Sequence, residues 1–155
     1  MDILIPGYGK LCLEYLVMDY NGTLAIDGGL IDGVKGVLIK LSEILEFHVL
    51  TADTFGKAAA GLDGIPCKLT VLPKEDQQTG KLDYVKMLGA DRTVSIGNGR
   101  NDQLMLKESA LGIAVILGEG ASVETLISAN VICTSIVSAL ELLMNPLRLT
   151  ATLRS

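Results

Sequence analysis

Short apolar runs alternate along this chain with segments whose apolar residues recur at helical spacing. The runs EYLVM, FHVLT, KLTVL, TVSIG, GIAVI and NVICT are strand-length and show little polar alternation. Strands of that kind are buried on both faces, as they are in a parallel sheet covered by helices. Between them, Val34, Val37, Leu38, Leu41 and Leu45 share one helical face, with Asp32 available as N-cap. Further helices are expected over 54–62, 81–88, 101–110, 122–129 and 136–144. The alternation predicts an α/β fold, a three-layer doubly wound (Rossmann-like), mostly parallel sheet. DILI and LCLEYLVM, joined by Pro6, Gly7, Tyr8 and Gly9, predict an N-terminal β-hairpin, with residues 1–13 as an extension. Asn145-Pro146 stops the last helix and leaves 146–155 as a loosely ordered tail. With no linker or internal repeat, 1–155 reads as a single domain.

Composition narrows the function classes. The 155 residues are 49% hydrophobic with a mean hydropathy of +0.44, yet no apolar run reaches the length of a membrane span. The surplus favours a covered sheet and a homo-oligomer interface. A net charge of −5 without a basic block argues against nucleic-acid binding. Cys12, Cys67 and Cys133 are far apart and follow no metal or redox spacing, which fits thiols in a reducing cytoplasm. No secretion signal or membrane partner is expected from the N-terminal stretch.

In an open α/β sheet, ligands bind outside the carboxyl ends of the strands. Those ends deliver Asp19 (in DYNGT), Thr51, and the turn GNGRND with Asp102, while Lys81 opens the helix after the third strand. Asn21-Gly22 alone would read as a hairpin turn, but LAIDGG is a poor partner strand. A carboxylate, a hydroxyl, an ammonium and a second carboxylate suit phosphoryl transfer. Gly22, Gly97 and Gly99 let backbone N–H groups approach an anion. A lysine in the first helical turn opposes the helix dipole, and a phosphate nearby would reverse that sign. The plainer readings are Thr51 as a helix cap with Asp53 as rival, Lys81 as a solvated cation, and Asp102 as a first-turn acid. His48 reads as a structural histidine.

DYNGT, the strand ending in Thr51, Lys81 in KLDYVKML, and GNGRND resemble the four motifs of the haloacid dehalogenase (HAD) superfamily. The spacing of KLDYVKMLGADRTVSIGNGRNDQLMLKESALGIAV most resembles the phosphorylation domain of P-type ATPases. The resemblance covers residues 14 to 135. It implies that Asp19 is the nucleophile, that Thr51, Ala52, Gly22 and Lys81 bind phosphate, and that Asp19, Asn21, Asn98 and Asp102 surround Mg²⁺. Lys81 and Asn21 belong to the implied catalytic set. The short intervals between motifs leave no room for a cap domain. The implied activity is a Mg²⁺-dependent phosphohydrolase or phosphotransferase acting on a phosphorylated small molecule or protein.

Two positions depart from that pattern. Many relatives place an aspartate where Asn21 stands, as general acid and base, and an amide cannot shuttle protons. Asn98 replaces an acidic metal ligand, and an amide oxygen binds a hard cation more weakly. Slow turnover follows as an expectation, with a catalytically weak phosphate-binding or regulatory protein as the alternative. Both departures are Asn-Gly pairs, whose deamidation would recreate aspartates.

Overall fold

The computed structural model describes residues 1–53 and 56–155. The chain opens with β1 (Asp2–Ile5) and β2 (Gly9–Cys12), an antiparallel hairpin in register Asp2 to Cys12. β3 (Tyr15–Asp19) follows, then the small antiparallel hairpin of β4 (Ala25–Ile26) and β5 (Gly29–Leu30). Next come α1 (Val34–Leu41), β6 (Glu46–Thr51), α2 (Ala58–Gly61), β7 (Lys68–Val71) and α3 (Gln77–Leu88). The rest is β8 (Thr93–Gly97), α4 (Gln103–Glu108), β9 (Leu111–Val115), α5 (Val123–Ser128), β10 (Val131–Cys133), α6 (Ile136–Met144) and α7 (Pro146–Leu153).

The main sheet is parallel throughout, in the order β10-β9-β8-β3-β6-β7. Its first strand, β3, lies at the centre between β6 and β8, so the strand order reverses beside it. Alternate residues of β3 face opposite layers, as a two-residue period requires. Leu16 and Met18 join the core with Leu38 of α1 and Leu140 of α6. Val17 joins Val85 of α3 and Met105 and Leu106 of α4 on the other face. Asp19, two residues on from Val17, therefore points toward α3. This is the expected three-layer α/β fold with its N-terminal hairpin.

The segment LCLEYLVM, expected as one strand, is two. The chain leaves the hairpin at Leu13, whose N–H donates to the carbonyl of Met1, and enters the main sheet at Tyr15. α3 starts at Gln77, so Lys81 lies in its second turn rather than its first, beyond the reach of the helix-dipole penalty expected there. The helix gains its extra N-terminal turn from polar residues that apolar periodicity does not mark. Gly33, in the left-handed region at φ 86°, takes the N-cap position of α1 in place of Asp32. Thr54 and Phe55, the start of the helix expected over 54–62, lie outside the described residues; its remainder forms α2. Residues 146–153 are helical rather than loose, because Leu149 is buried and the N–H of Ser155 donates to the carbonyl of Pro6. No single helix among the described residues is long and apolar enough to cross a membrane.

Candidate active site

The reversal of strand order at β3 and β8 opens a crevice at their carboxyl ends, the usual place for a ligand in such a sheet. A cavity of about 190 Å³ lies there. Asp19 closes β3, Thr51 and Ala52 close β6, and Asn98 and Gly99 follow β8. Asn21, Gln77, Asn101 and Glu119 complete the lining. A second cavity, of about 590 Å³, shares Ala52, Gln77 and Asn101 and adds Lys74 and Arg100. The expected Asp19, Asn21, Thr51, Ala52 and Asn98 thus meet at one cavity. Lys81 and Asp102 lie behind it, fully buried.

Lys81 joins the two aspartates. Its Nζ donates to Asp19 Oδ1 at 3.0 Å and to Asp102 Oδ1 at 2.5 Å. Asp102 Oδ2 accepts the backbone N–H groups of Asn98 (3.0 Å) and Gly99 (2.9 Å). Asp102 is therefore engaged on both oxygens and fixes the turn after β8. Gly97 permits this, since a Cβ there would sit 2.5 Å from Asp102 Cγ. The buried group carries two carboxylates against one ammonium. Burial, then the Asp102 charge, push Asp19 up to about 7 against the pull of Lys81. For Lys81, burial acts downward, but the two carboxylates outweigh it and hold the ammonium above its usual range. Neutralising Lys81 would leave an uncompensated buried pair, the costly case.

Thr51 Oγ1 accepts the N–H of Asp53 at 2.9 Å, which leaves the hydroxyl proton to donate into the cavity. Asp53 itself sits in the left-handed region at φ 48°, and its Oδ1 accepts the N–H of Ala58, the first residue of α2, at 3.1 Å. Lys57 takes the N-cap position of α2, so neither Thr51 nor Asp53 is its N-cap, although Asp53 reaches its first turn. His48 is structural: its Nδ1 pairs with the Tyr84 hydroxyl at 2.9 Å, far from the cavity lining.

Asn98 is held on both sides of its amide. Oδ1 accepts from Thr23 Oγ1 at 3.3 Å, and Nδ2 donates to the Gly120 carbonyl at 2.9 Å. Gly22, at φ 78°, lies so close that a Cβ would meet Asn98 Nδ2 at 2.4 Å. Asn21 Oδ1 is buried without a hydrogen-bond partner among the described residues. Both Asn-Gly pairs hold the amide that deamidation requires. Gly22 N donates to Ala25 O at 2.7 Å and Gly99 N to Asp102 Oδ2 at 2.9 Å. Attack by either glycine nitrogen on the preceding side chain would break such a bond, which argues against deamidation as the source of activity.

The cavity offers oxygen donors for a cation: the Asp19 carboxylate, the orphaned Asn21 Oδ1 and Asn98 Oδ1. Such a set suits a hard cation of the Mg²⁺ kind. Among the described residues no cluster of three or more His, Cys, Asp or Glu forms a metal cage, so amide oxygens would carry part of the coordination.

Glu119 was not among the residues expected from sequence. It lies in LGEGAS after β9, the strand next to β8, so the rule of carboxyl strand ends reaches it. The signal is the Gly118-Glu119-Gly120 turn, too short to stand out beside GNGRND.

No protein-family model matches the chain. The uncharacterised protein MJ0073 of Methanocaldococcus jannaschii is 48% identical over 63 residues, 41% of this chain and 68% of that protein. The chain belongs to the same family. Among solved structures, 3-deoxy-D-manno-octulosonate 8-phosphate phosphatase of Moraxella catarrhalis, in complex with magnesium, phosphate and its sugar, aligns with a TM-score of 0.65 at 18% identity, covering 86% of each chain. A Legionella pneumophila protein described as a HAD-superfamily hydrolase aligns at 0.67 and 15% identity, over 91% of this chain and 87% of its own. The catalytic domain of the CPx-ATPase CopB-B aligns at 0.56 and 24% identity, over 73% of this chain and 45% of its own. The fold of this chain is the HAD fold, with no cap domain among the described residues.

Proposed function

We propose that this HAD-fold protein is a divalent-metal-dependent phosphohydrolase that works through an aspartyl phosphate on Asp19. The observation that carries the reading is the position of Asp19. It ends the central strand at the switch in strand order, faces the cavity, and is held by a buried ammonium. Asp19 Oδ2 attacks the phosphorus of a phosphate monoester, and the alcohol leaves. Thr51 donates to a phosphoryl oxygen, and Lys81 balances charge on the carboxylate it already holds. Ala52 presents backbone at the same mouth, whereas Gly22, expected to bind phosphate, does not line the cavity and spends its N–H on the Ala25 carbonyl. Mg²⁺, held by Asp19, Asn21 and Asn98 oxygens, would supply charge neutralisation at the phosphoryl group. Asp102 holds Lys81 and the turn after β8, so its support of a cation is through position and long-range charge.

The adjoining cavity with Lys74 and Arg100 supports a small phosphorylated substrate whose remainder extends past Gln77 and Asn101. Exposed Val123 and Ile127 on α5 and Ile132 on the edge strand β10 support the homo-oligomer reading. The amides at 21 and 98 favour the second reading, a weak phosphate-binding or regulatory protein.

Hydrolysis of p-nitrophenyl phosphate with Mg²⁺, beside Asp19→Asn, separates the two. Turnover lost in the variant supports the enzyme. Absent turnover with retained binding of beryllofluoride supports the regulator.

A further inference from the structure

We propose that Glu119 is the general acid and base of this site, taking the part that Asn21 cannot. The inference rests on the aspartyl-phosphate reading above. Among the described residues whose side chains line the cavity, only Asp19 and Glu119 carry an ionisable group. Asp19 is the nucleophile, and Lys81 and Asp102 are sealed behind it with their polar atoms paired. A proton leaving an attacking water therefore has one acceptor within the lining, the Glu119 carboxylate. Glu119 is also solvent-exposed, so it can exchange that proton between turnovers.

The turn that carries Glu119 is fixed rather than loose. Gly120 N donates to Leu117 O at 2.9 Å, with Gly120 at φ 75°. Asn98 Nδ2 donates to Gly120 O at 2.9 Å, and Ser122 N donates to Asn98 O at 2.9 Å. Glu119 Oε1 accepts the N–H of Asp27, at the tip of the β4–β5 hairpin, at 3.0 Å. An aspartate at position 98 has no proton to donate to Gly120. The amide that costs the site a carboxylate thus holds in place the turn presenting another. The two departures from the family pattern are then linked. Asn21 removes the usual acid and base, and Asn98 helps position its replacement.

The steps balance. In the first, Asp19 forms the acyl-phosphate bond, the ester P–O bond breaks, and protonated Glu119 gives its proton to the leaving oxygen. In the second, ionised Glu119 takes a proton from water, and the hydroxide attacks phosphorus. The acyl P–O bond then breaks, releasing phosphate and the Asp19 carboxylate.

The test is Glu119→Gln in the full chain with p-nitrophenyl phosphate and Mg²⁺. Glutamine keeps an oxygen for the Asp27 N–H, so a purely tethering role survives the change. Because p-nitrophenolate leaves without a proton, the variant should phosphorylate Asp19 and then stall. Steady-state release should fall about 10²–10⁴-fold, with a covalent phosphate adduct visible by intact mass and absent in Asp19→Asn/Glu119→Gln. Adding Asn21→Asp to Glu119→Gln should restore release. Wild-type release rates in Glu119→Gln, or equal loss of both steps without an adduct, would overturn the role of Glu119 alone. A wild-type protein with neither turnover nor adduct would overturn the Asp19 reading and this inference with it.

Discussion

The side-chain amide of Asn98 reaches across to the Gly120 carbonyl at 2.9 Å, while its oxygen accepts from Thr23 at 3.3 Å. The residue that departs from the usual acidic ligand is therefore a built connection between the loops after β8 and β9. Asn98→Asp keeps the Thr23 contact but sets a carboxylate against the Gly120 oxygen. Loss of a buried hydrogen bond plus that repulsion should cost about 1–3 kcal/mol without metal. The added charge should also strengthen Mg²⁺ binding, so the variant should gain more thermal stability from Mg²⁺ than wild type does. Melting curves with and without Mg²⁺ check both signs; a variant as stable as wild type under chelator would contradict the Asn98–Gly120 tether.

Lys81 sits with no exposure between Asp19 and Asp102. Lys81→Met fills a similar volume but leaves two carboxylates facing each other in a buried site. The variant should lose about 3–5 kcal/mol at pH 8. Part of that loss should return on acidification, as one carboxylate takes a proton. Denaturant melts at pH 8 and pH 5 measure it, and a mild, pH-independent loss would mean the charge is screened.

The fold was legible in the sequence because each buried strand is a short apolar run, and the cores they build are the ones the runs imply. Val17 between Leu16 and Met18 divides its neighbours between the two faces of the sheet. The boundaries that went astray have polar or small residues at the break. Glu14 separates two strands that share an apolar run, and Gln77, Gln78 and Thr79 begin α3 without a periodic signal. α7 packs through buried Leu149 and half-buried Leu153, with a terminal contact from Ser155 to Pro6, too short an apolar signal to mark a helix after Asn145-Pro146. At the site, motif residues gather where strand ends place them. What the sequence hid was direction. Asp102 and Lys81 turn inward to each other, and Glu119 turns in from a loop with no motif of its own.

Gly22→Ala tests how tightly DYNGT is packed. The glycine is in the left-handed region, and an added Cβ would meet the Asn98 side chain at 2.4 to 2.8 Å. Strain and displacement of Asn98 together should cost about 2–4 kcal/mol. If the cost acts through Asn98, Gly22→Ala combined with Asn98→Ala should lose less than the sum of the two single changes. A double-mutant cycle by chemical denaturation reads this directly, and strict additivity would argue that only the backbone angle matters.

Asp19→Asn should stabilise the metal-free protein, and the gain should depend on pH. Burial, then the Asp102 charge, raise the Asp19 carboxyl to about 7 despite Lys81, whereas an unfolded aspartate titrates near about 4. The folded state therefore holds this proton more tightly than the unfolded state. That contribution is fully present below about pH 4, is lost as pH rises through about 7, and is gone above it. The amide carries no such term. Under chelator, the melting temperature of Asp19→Asn should lie close to wild type near pH 4.5 and exceed it by about 10 °C at pH 8. His48, pushed down by its burial, titrates in both proteins and cancels in the comparison. A constant difference between the two proteins from pH 4.5 to 8 would show that Asp19 stays ionised throughout, with Lys81 prevailing over burial.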